Sequence, residues 1–190
     1  MRMTTVDPEH FTKLITLLQQ KPIEIYTERK NSGVGRSLPF GIINRRNFGL
    51  GRSRNNKRYP LHYAEMLKIA EIINPDCLWT SIMCNDNYKA LPHKDKNNDG
   101  VSCIVGFGDY TSGELNIEGQ KYNIRHTPLH MDASIQEHST EPWTGCRYSL
   151  VFFRIKLKNP IKEKYESWGF KEMDAALGTY SDADSLHKLT

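Results

Sequence analysis

Cysteine is scarce in this 190-residue chain, and its four copies form no Cys-x-x-Cys pair. Cys77, Cys84, Cys103 and Cys146 therefore point to neither a zinc ribbon nor a secreted disulfide framework; free thiols in an intracellular (cytoplasmic or nuclear) compartment are expected. Long apolar runs are missing too. None approaches the roughly 18 residues of a membrane-crossing helix, and Asp7 and Glu9 interrupt the stretch where a signal peptide would be apolar. No membrane partner and no export are expected. Repeats and low-complexity tracts are absent, whereas 38% hydrophobic and 10% aromatic residues are too many for a disordered chain. The length suits a single domain, residues 1–190, since domains cluster near roughly 100–200 residues. Acid is lacking in one place above all. Residues 29–58 contain no Asp or Glu but nine cations, Arg29, Lys30, Arg36, Arg45, Arg46, Arg52, Arg54, Lys57 and Arg58, so the net charge of +4 leaves −5 on the remainder.

Periodicity supplies the elements. Phe11, Leu14, Ile15 and Leu18 recur at spacings of three and four, which predicts an amphipathic helix over 8–20 with Asp7 as N-cap and Pro8 at its first position. A short strand at IEIY follows, and HYAEMLKIAEII predicts a second helix stopped by Asn74 and Pro75. Between them, Gly33, Gly35, Gly41, Gly49 and Gly51 in the basic segment predict a long loop or irregular ribbon. From residue 78 the texture changes to short strands separated by turns, LWTSIMCN, VSCIVGFG, GELNIEG, KYNIR and RYSLVFFRIKL, as in an antiparallel sandwich or barrel. The last thirty residues read as a solvated helix and a tail. The fold class is thus mainly β with flanking helices: N-terminal helices and basic loop over 1–77, β core over 78–158, C-terminal helix and tail over 159–190.

Two His-x-Asp triplets occur, His93-Lys94-Asp95 and His130-Met131-Asp132, and in a strand residues i and i+2 share a face. An imidazole beside a carboxylate is two thirds of the two-His-one-carboxylate site that holds mononuclear iron with open positions. The third ligand must be a histidine from another strand. His138 lies some forty residues on from the first triplet, with His126 and His130 as alternatives; the second triplet has only His138, six residues on, or His187 in the tail. The reading is therefore His93, Asp95 and His138. Nine residues beyond His138, Arg147 opens the most apolar strand, with Ser149 two residues on. A guanidinium fork and a hydroxyl on one face suit the distal carboxylate of 2-oxoglutarate. Asn85 and Asn87 share strand parity with His93 and are further candidate cosubstrate contacts.

With these residues in place, the region from Leu78 to Leu157 resembles the catalytic core of the Fe(II)/2-oxoglutarate-dependent dioxygenases, and that resemblance implies a double-stranded β-helix (jelly-roll) core using Fe(II), 2-oxoglutarate and O2. HKDKNNDGVSCIVGFGDYTSGELNIEG and HSTEPWTGCRYSLVFF look most like the TET/JBP branch, which oxidises methyl groups of pyrimidines in nucleic acid. That branch usually carries a second glycine where this chain has Ser112, and its animal members carry a cysteine-rich zinc region that this chain lacks. The basic segment would then meet nucleic acid, Arg45, Arg46, Arg52 and Arg54 on phosphates and Phe40, Phe48 or Tyr59 stacked on an extruded base. Its rivals are a protein side-chain hydroxylase, whose basic loop would close over an acidic peptide, and a binding module without catalysis.

Overall fold

Alternating apolar residues build two facing sheets. A computed structural model describes residues 4–25, 33–45, 49–157 and 166–178. The strands are β1 (Gly33–Arg45), β2 (Gly49–Arg52), β3 (Ser81–Ala90), β4 (Ser102–Phe107), β5 (Tyr110–Ser112), β6 (Leu115–Ile117), β7 (Gln120–Tyr122), β8 (Leu129–Met131), β9 (His138–Thr140), β10 (Trp143–Gly145) and β11 (Tyr148–Phe153). Six of them form the larger sheet in the order β2-β1-β3-β11-β4-β8, antiparallel throughout. The smaller sheet, β7-β6-β9, gains a further segment through a bridge between His93 and His138, and a β10-β5 ribbon flanks it. The result is the antiparallel two-sheet core expected of the strand pattern, in the double-stranded β-helix form that the resemblance implies.

The larger sheet divides its residues by parity. Phe40 on β1, Ile82 and Cys84 on β3, Val105 and Phe107 on β4, and Leu150 and Phe152 on β11 pack against two helices, α1 (Thr12–Gln20) through Leu14 and Leu18, and α3 (Pro60–Ile73) through Met66 and Ile69. The opposite parity, Met83, Asn85, Ile104, Ser149 and Val151, faces the space between the sheets. Asp7 caps the first turn by accepting a hydrogen bond from the Glu9 amide, and Asn74 ends α3 in the left-handed region at φ 42°. All four cysteines are free, and no described helix is long and apolar enough to cross a membrane.

Three expectations need correction. The basic segment is no irregular loop where it is described: it is β1, β2 and the short helix α2 (Arg54–Arg58). Its glycines hide the alternation Leu38-x-Phe40-x-Ile42, and Gly41 is needed at φ 79°, where a Cβ would stand 2.7 Å from the Thr80 carbonyl oxygen. Phe40 and Tyr59 consequently belong to the core, 0% and 2% exposed, with Phe40 stacked on Tyr63 at 6.0 Å and edge-on to Tyr59 at 6.2 Å. Neither ring faces a base. Arg46 and Phe48 lie outside the described residues, and Arg45 is described by its backbone alone, opposite Gly49. Of IEIY, Ile25 makes one bridge to Ser37, and Tyr26 lies outside the described residues.

The C-terminal helix α4 (Phe170–Gly178) is docked rather than solvated, because Met173 and Leu177, one turn apart, pack with Ile42, Leu50, Ile155 and Leu157. Arg52 fastens it, its Nε donating to Asp174 Oδ1 at 2.7 Å and Nη2 to the Asp174 carbonyl at 3.0 Å. Phe40→Ala should lower unfolding stability by about 3–5 kcal/mol, the usual result of emptying a buried phenylalanine site. Chemical denaturation measures this, and a loss below about 1 kcal/mol would return Phe40 to the surface.

Candidate metal centre

The His93 amide donates to the His138 carbonyl at 3.1 Å and the His138 amide to the His93 carbonyl at 3.0 Å, so the two rings emerge side by side with centroids 4.3 Å apart. Asp95, two residues on and bonded through its amide to the Ala133 carbonyl, turns its carboxylate to both. Its Oδ1 is 3.5 Å from His93 Nε2 and its Oδ2 3.8 Å from His138 Nε2. Each ring is also held from behind: His93 Nδ1 lies 2.6 Å from the Leu91 carbonyl, and His138 Nδ1 lies 3.1 Å from that of Gln136. A carbonyl only accepts, so both Nδ1 atoms carry the proton and both Nε2 atoms offer a lone pair toward the carboxylate. Two neutral nitrogens and one carboxylate, with ligand atoms within 4.8 Å of one another, suit a divalent iron-type ion with coordination positions left open.

The alternative histidines serve elsewhere. His130 Nε2 accepts the Asp76 amide at 3.1 Å, and His126, at φ 55°, stacks on Phe11 at 5.6 Å. Asp132 accepts from the amide and hydroxyl of Ser134 and closes a turn. Among the described residues, the group of three that would hold a metal is His93, Asp95 and His138.

The triad opens into a pocket of about 610 Å³ including its mouth, and at the closed end lies Arg147, 2% exposed. Arg147 Nε donates to the Gly113 carbonyl at 3.0 Å, while its guanidinium stands over the rings of Tyr110 at 5.5 Å and Trp143 at 5.6 Å. Burial pushes its pKa down, yet Nη2 has no hydrogen-bond partner. Beside it a polar row crosses three strands: Ser37 Oγ donates to Asn85 Oδ1 at 2.7 Å, and Asn85 Nδ2 donates to Ser149 Oγ at 3.0 Å. Ser149 accepts in that bond, so its own proton is turned outward to donate. A buried cation with an unsatisfied N–H next to a hydroxyl donor fits one carboxylate of a dicarboxylic acid.

Asn87, expected as a cosubstrate contact, does not line the pocket. A bulge places Asn87 at φ 48° against Gly35, shifts the register, and brings Tyr88 and Ala90 to the pocket in its stead. Its side chain instead accepts the Arg147 amide at 3.0 Å, while its own amide donates to the Arg147 carbonyl at 2.8 Å. Asn87 thus positions Arg147 through the backbone. Gly113 went unrecognised in the sequence although its role is steric: at φ 72°, a Cβ would stand 3.0 Å from Arg147 Cδ. Ser112, where the similar motif usually has glycine, is held at φ 62°. Asn98 also went unrecognised, since NNDG reads as a turn; it is buried, its amide bonds the Asp95 carbonyl at 2.8 Å, and it lines the pocket.

The closed end is sealed by Arg147, Ser149 and Leu115, whereas the partly exposed lining residues include Asp95 and Phe153, which mark the mouth. Phe153 pairs with Ser81 and Ser81 with Gly41, so the β1–β2 hairpin continues past the sheet at the mouth end. Of the basic segment's cations, Arg54 on α2 is exposed, Arg52 on β2 is held by Asp174, and Arg36 on β1 reaches Asp86 at 3.6 Å. Calorimetric titration with Mn(II) should show one site. His93→Ala, Asp95→Ala and His138→Ala should each weaken it by more than about tenfold, the scale on which even outer-shell partners act. His126→Ala and His130→Ala should not, and loss of binding in either would relocate the third ligand.

No protein-family model matches the chain, and no curated protein does. Among solved structures, the chain is similar to NgTET1 in complex with 5mC DNA, with 17% identity over 85% of this chain and 77% of that one and a TM-score of 0.57. It is also similar to an oxidoreductase of the 2OG-Fe(II) oxygenase family from Burkholderia pseudomallei, with 14% identity over 77% of this chain and 79% of that one and a TM-score of 0.51. The chain shares the fold of these two proteins.

Proposed function

We propose that the chain is an Fe(II)/2-oxoglutarate-dependent dioxygenase that hydroxylates a C–H bond, and that its substrate is the methyl group of a modified pyrimidine in nucleic acid. The observation that carries the enzymatic part is the buried, incompletely bonded Arg147 closing the same pocket that His93, Asp95 and His138 open. His93, Asp95 and His138 would hold the iron, with Arg147 and Ser149 on the distal carboxylate of 2-oxoglutarate. Bound there, Fe(II) with 2-oxoglutarate and O2 supplies the oxidation of the C–H bond, 2-oxoglutarate leaving as succinate and carbon dioxide.

The chain's own residues set the selectivity. Asn85 fixes the Ser149 hydroxyl as a donor, and Arg147 supplies the counter-charge in a space walled from water by Leu115, Ile104 and Val151. The buried Asn98, whose Nδ2 donates to Ser102 Oγ at 3.4 Å, also lines the pocket, and at the mouth Phe153 offers an apolar ring. The nucleic-acid part is supported by the acid-free cationic segment, by the course of its hairpin at the mouth end, and by the likeness to a protein whose structure was solved with 5mC DNA. With Phe40 and Tyr59 in the core, Phe153 replaces them as the ring available to a flipped base.

Succinate release should rise with methylated DNA or RNA above its uncoupled background. A rise with proline- or lysine-containing peptides alone would instead establish the protein hydroxylase. Arg147→Lys should raise the 2-oxoglutarate requirement about ten- to a hundredfold, since a point charge replaces a planar fork; an unchanged requirement removes Arg147 from the site. Nucleic-acid affinity should fall steeply with salt, and replacing Arg45, Arg46 and Arg54 by Ser should flatten the logarithmic slope by about 0.9 for each phosphate that is no longer neutralised. Arg52 is left in place because it anchors α4. A slope that the triple variant leaves unchanged would place the nucleic acid elsewhere.

A further inference from the structure

Asp95 is followed at once by a turn, closed by the Asn98 amide on the Asp95 carbonyl at 2.8 Å, with Lys96 and Asn97 exposed at its tip. The chain that leaves Phe153 runs alongside it. The Lys156 amide donates to the Asn97 carbonyl at 2.8 Å, the Asp99 amide donates to the Arg154 carbonyl at 2.9 Å, and Asn98 bridges Ile155 between them. Lys96 thus comes one residue after a metal ligand and Lys156 three residues after the ring at the mouth, and main-chain hydrogen bonds lock the two stretches together.

On its other side the same stretch is fastened to the basic hairpin. Ile155 and Leu157 pack with Ile42 of β1 and Leu50 of β2. Lys156, between them and exposed, is turned away from that cluster, because neighbours in extended chain alternate faces. The order across the mouth end of the molecule is therefore hairpin, Lys156, Lys96. The acids beside these lysines are already engaged, Asp99 with Arg154 at 3.7 Å and Asp174 with Arg52 at 2.7 Å. Among the described residues neither ammonium has an ion pair. Two unanswered charges that continue a cationic surface past the pocket mouth suit an anion of repeating charge better than a single small one.

We propose that Lys96 and Lys156 bind backbone phosphates of nucleic acid, so that the bound strand crosses the mouth end from the β1–β2 hairpin to the Asp95–Asn98 turn and presents its target nucleotide over Phe153. The assignment deepens the nucleic-acid reading above and rests on it. An ammonium on a flexible stem holds a phosphate as a point charge and reads no base, so these contacts position the strand. A phosphate held beside Asp95 also sets the place of its nucleotide relative to the metal.

The test is fluorescence anisotropy of a labelled methylated oligonucleotide, single-stranded and duplex, with Mn(II)-loaded protein across a salt series. Lys96→Ser and Lys156→Ser should each flatten the logarithmic salt slope by about 0.7 on a single strand or about 0.9 on a duplex, the value of one phosphate contact. The two losses should add to each other and to that of Arg54→Ser. Lys96→Arg should keep the wild-type slope, since the charge is kept. Lys121→Ser removes the same charge on β7, at the outer edge of the smaller sheet, and should leave the slope unchanged. Thermal unfolding run alongside should match the wild type, because both lysines are exposed. A slope unchanged in both lysine variants, while replacing Arg45, Arg46 and Arg54 by Ser flattens it, overturns the role of Lys96 and Lys156 and leaves the nucleic-acid reading standing. Equal flattening in Lys121→Ser reduces the effect to net charge and also overturns that role. A wild-type protein that binds an acidic peptide but neither oligonucleotide overturns both.

Discussion

The reciprocal pair of backbone hydrogen bonds between His93 and His138 is the constraint on which the site depends. It joins the segment after β3 to the smaller sheet, and in the same stroke sets two imidazoles 4.3 Å apart. Asp95 follows from strand parity, and the Leu91 and Gln136 carbonyls then fix both tautomers. Ligands drawn from two distant stretches of chain are thereby held by main-chain geometry, which varies far less than side-chain rotamers. The same segment goes on to bridge Asn98 with Ile155, so the stretch that carries His93 and Asp95 also delivers Asn98 to the pocket.

At the other end of the pocket the governing fact is electrostatic. A guanidinium as buried as Arg147 is costly unless an anion answers it, and no carboxylate of the chain lies within ion-pair distance of it among the described residues. Its position is nevertheless held from several sides: Asn87 on its backbone, the Gly113 carbonyl on Nε, and Tyr110 and Trp143 on its faces. A cation so arranged before its partner arrives is preorganised, and the ordering cost of binding is correspondingly small. On the proposed reading the metal triad would hold one end of a small dicarboxylic acid and Arg147 the other, and the distance between the two ends would select chain length.

What could be read in the sequence was whatever obeys a short, regular spacing. His93 with Asp95 and Arg147 with Ser149 are i, i+2 pairs in extended chain, and both α1 and α3 show helical periodicity. The parity argument failed at Asn87, where one bulged residue inverts every side chain that follows, so that Tyr88 took the inward place. Composition misled at β1, whose glycines mask a buried stripe through Phe40, and at α4, whose charges mask the pair Met173 and Leu177. Gly113 left no pattern at all. Its role arises from a contact between strands far apart in the chain, which spacing along one strand does not encode.

The central claim is that one pocket holds a divalent metal on His93, Asp95 and His138 and a dicarboxylate on Arg147. The most direct measurement is a crystal structure with Mn(II) and 2-oxoglutarate, read by anomalous difference density. The account predicts a single anomalous peak bounded by the two Nε2 atoms and the Asp95 carboxylate, with 2-oxoglutarate running from it to the Arg147 guanidinium. A peak at His130 and Asp132, or a dicarboxylate whose far end leaves Arg147 untouched, would contradict it.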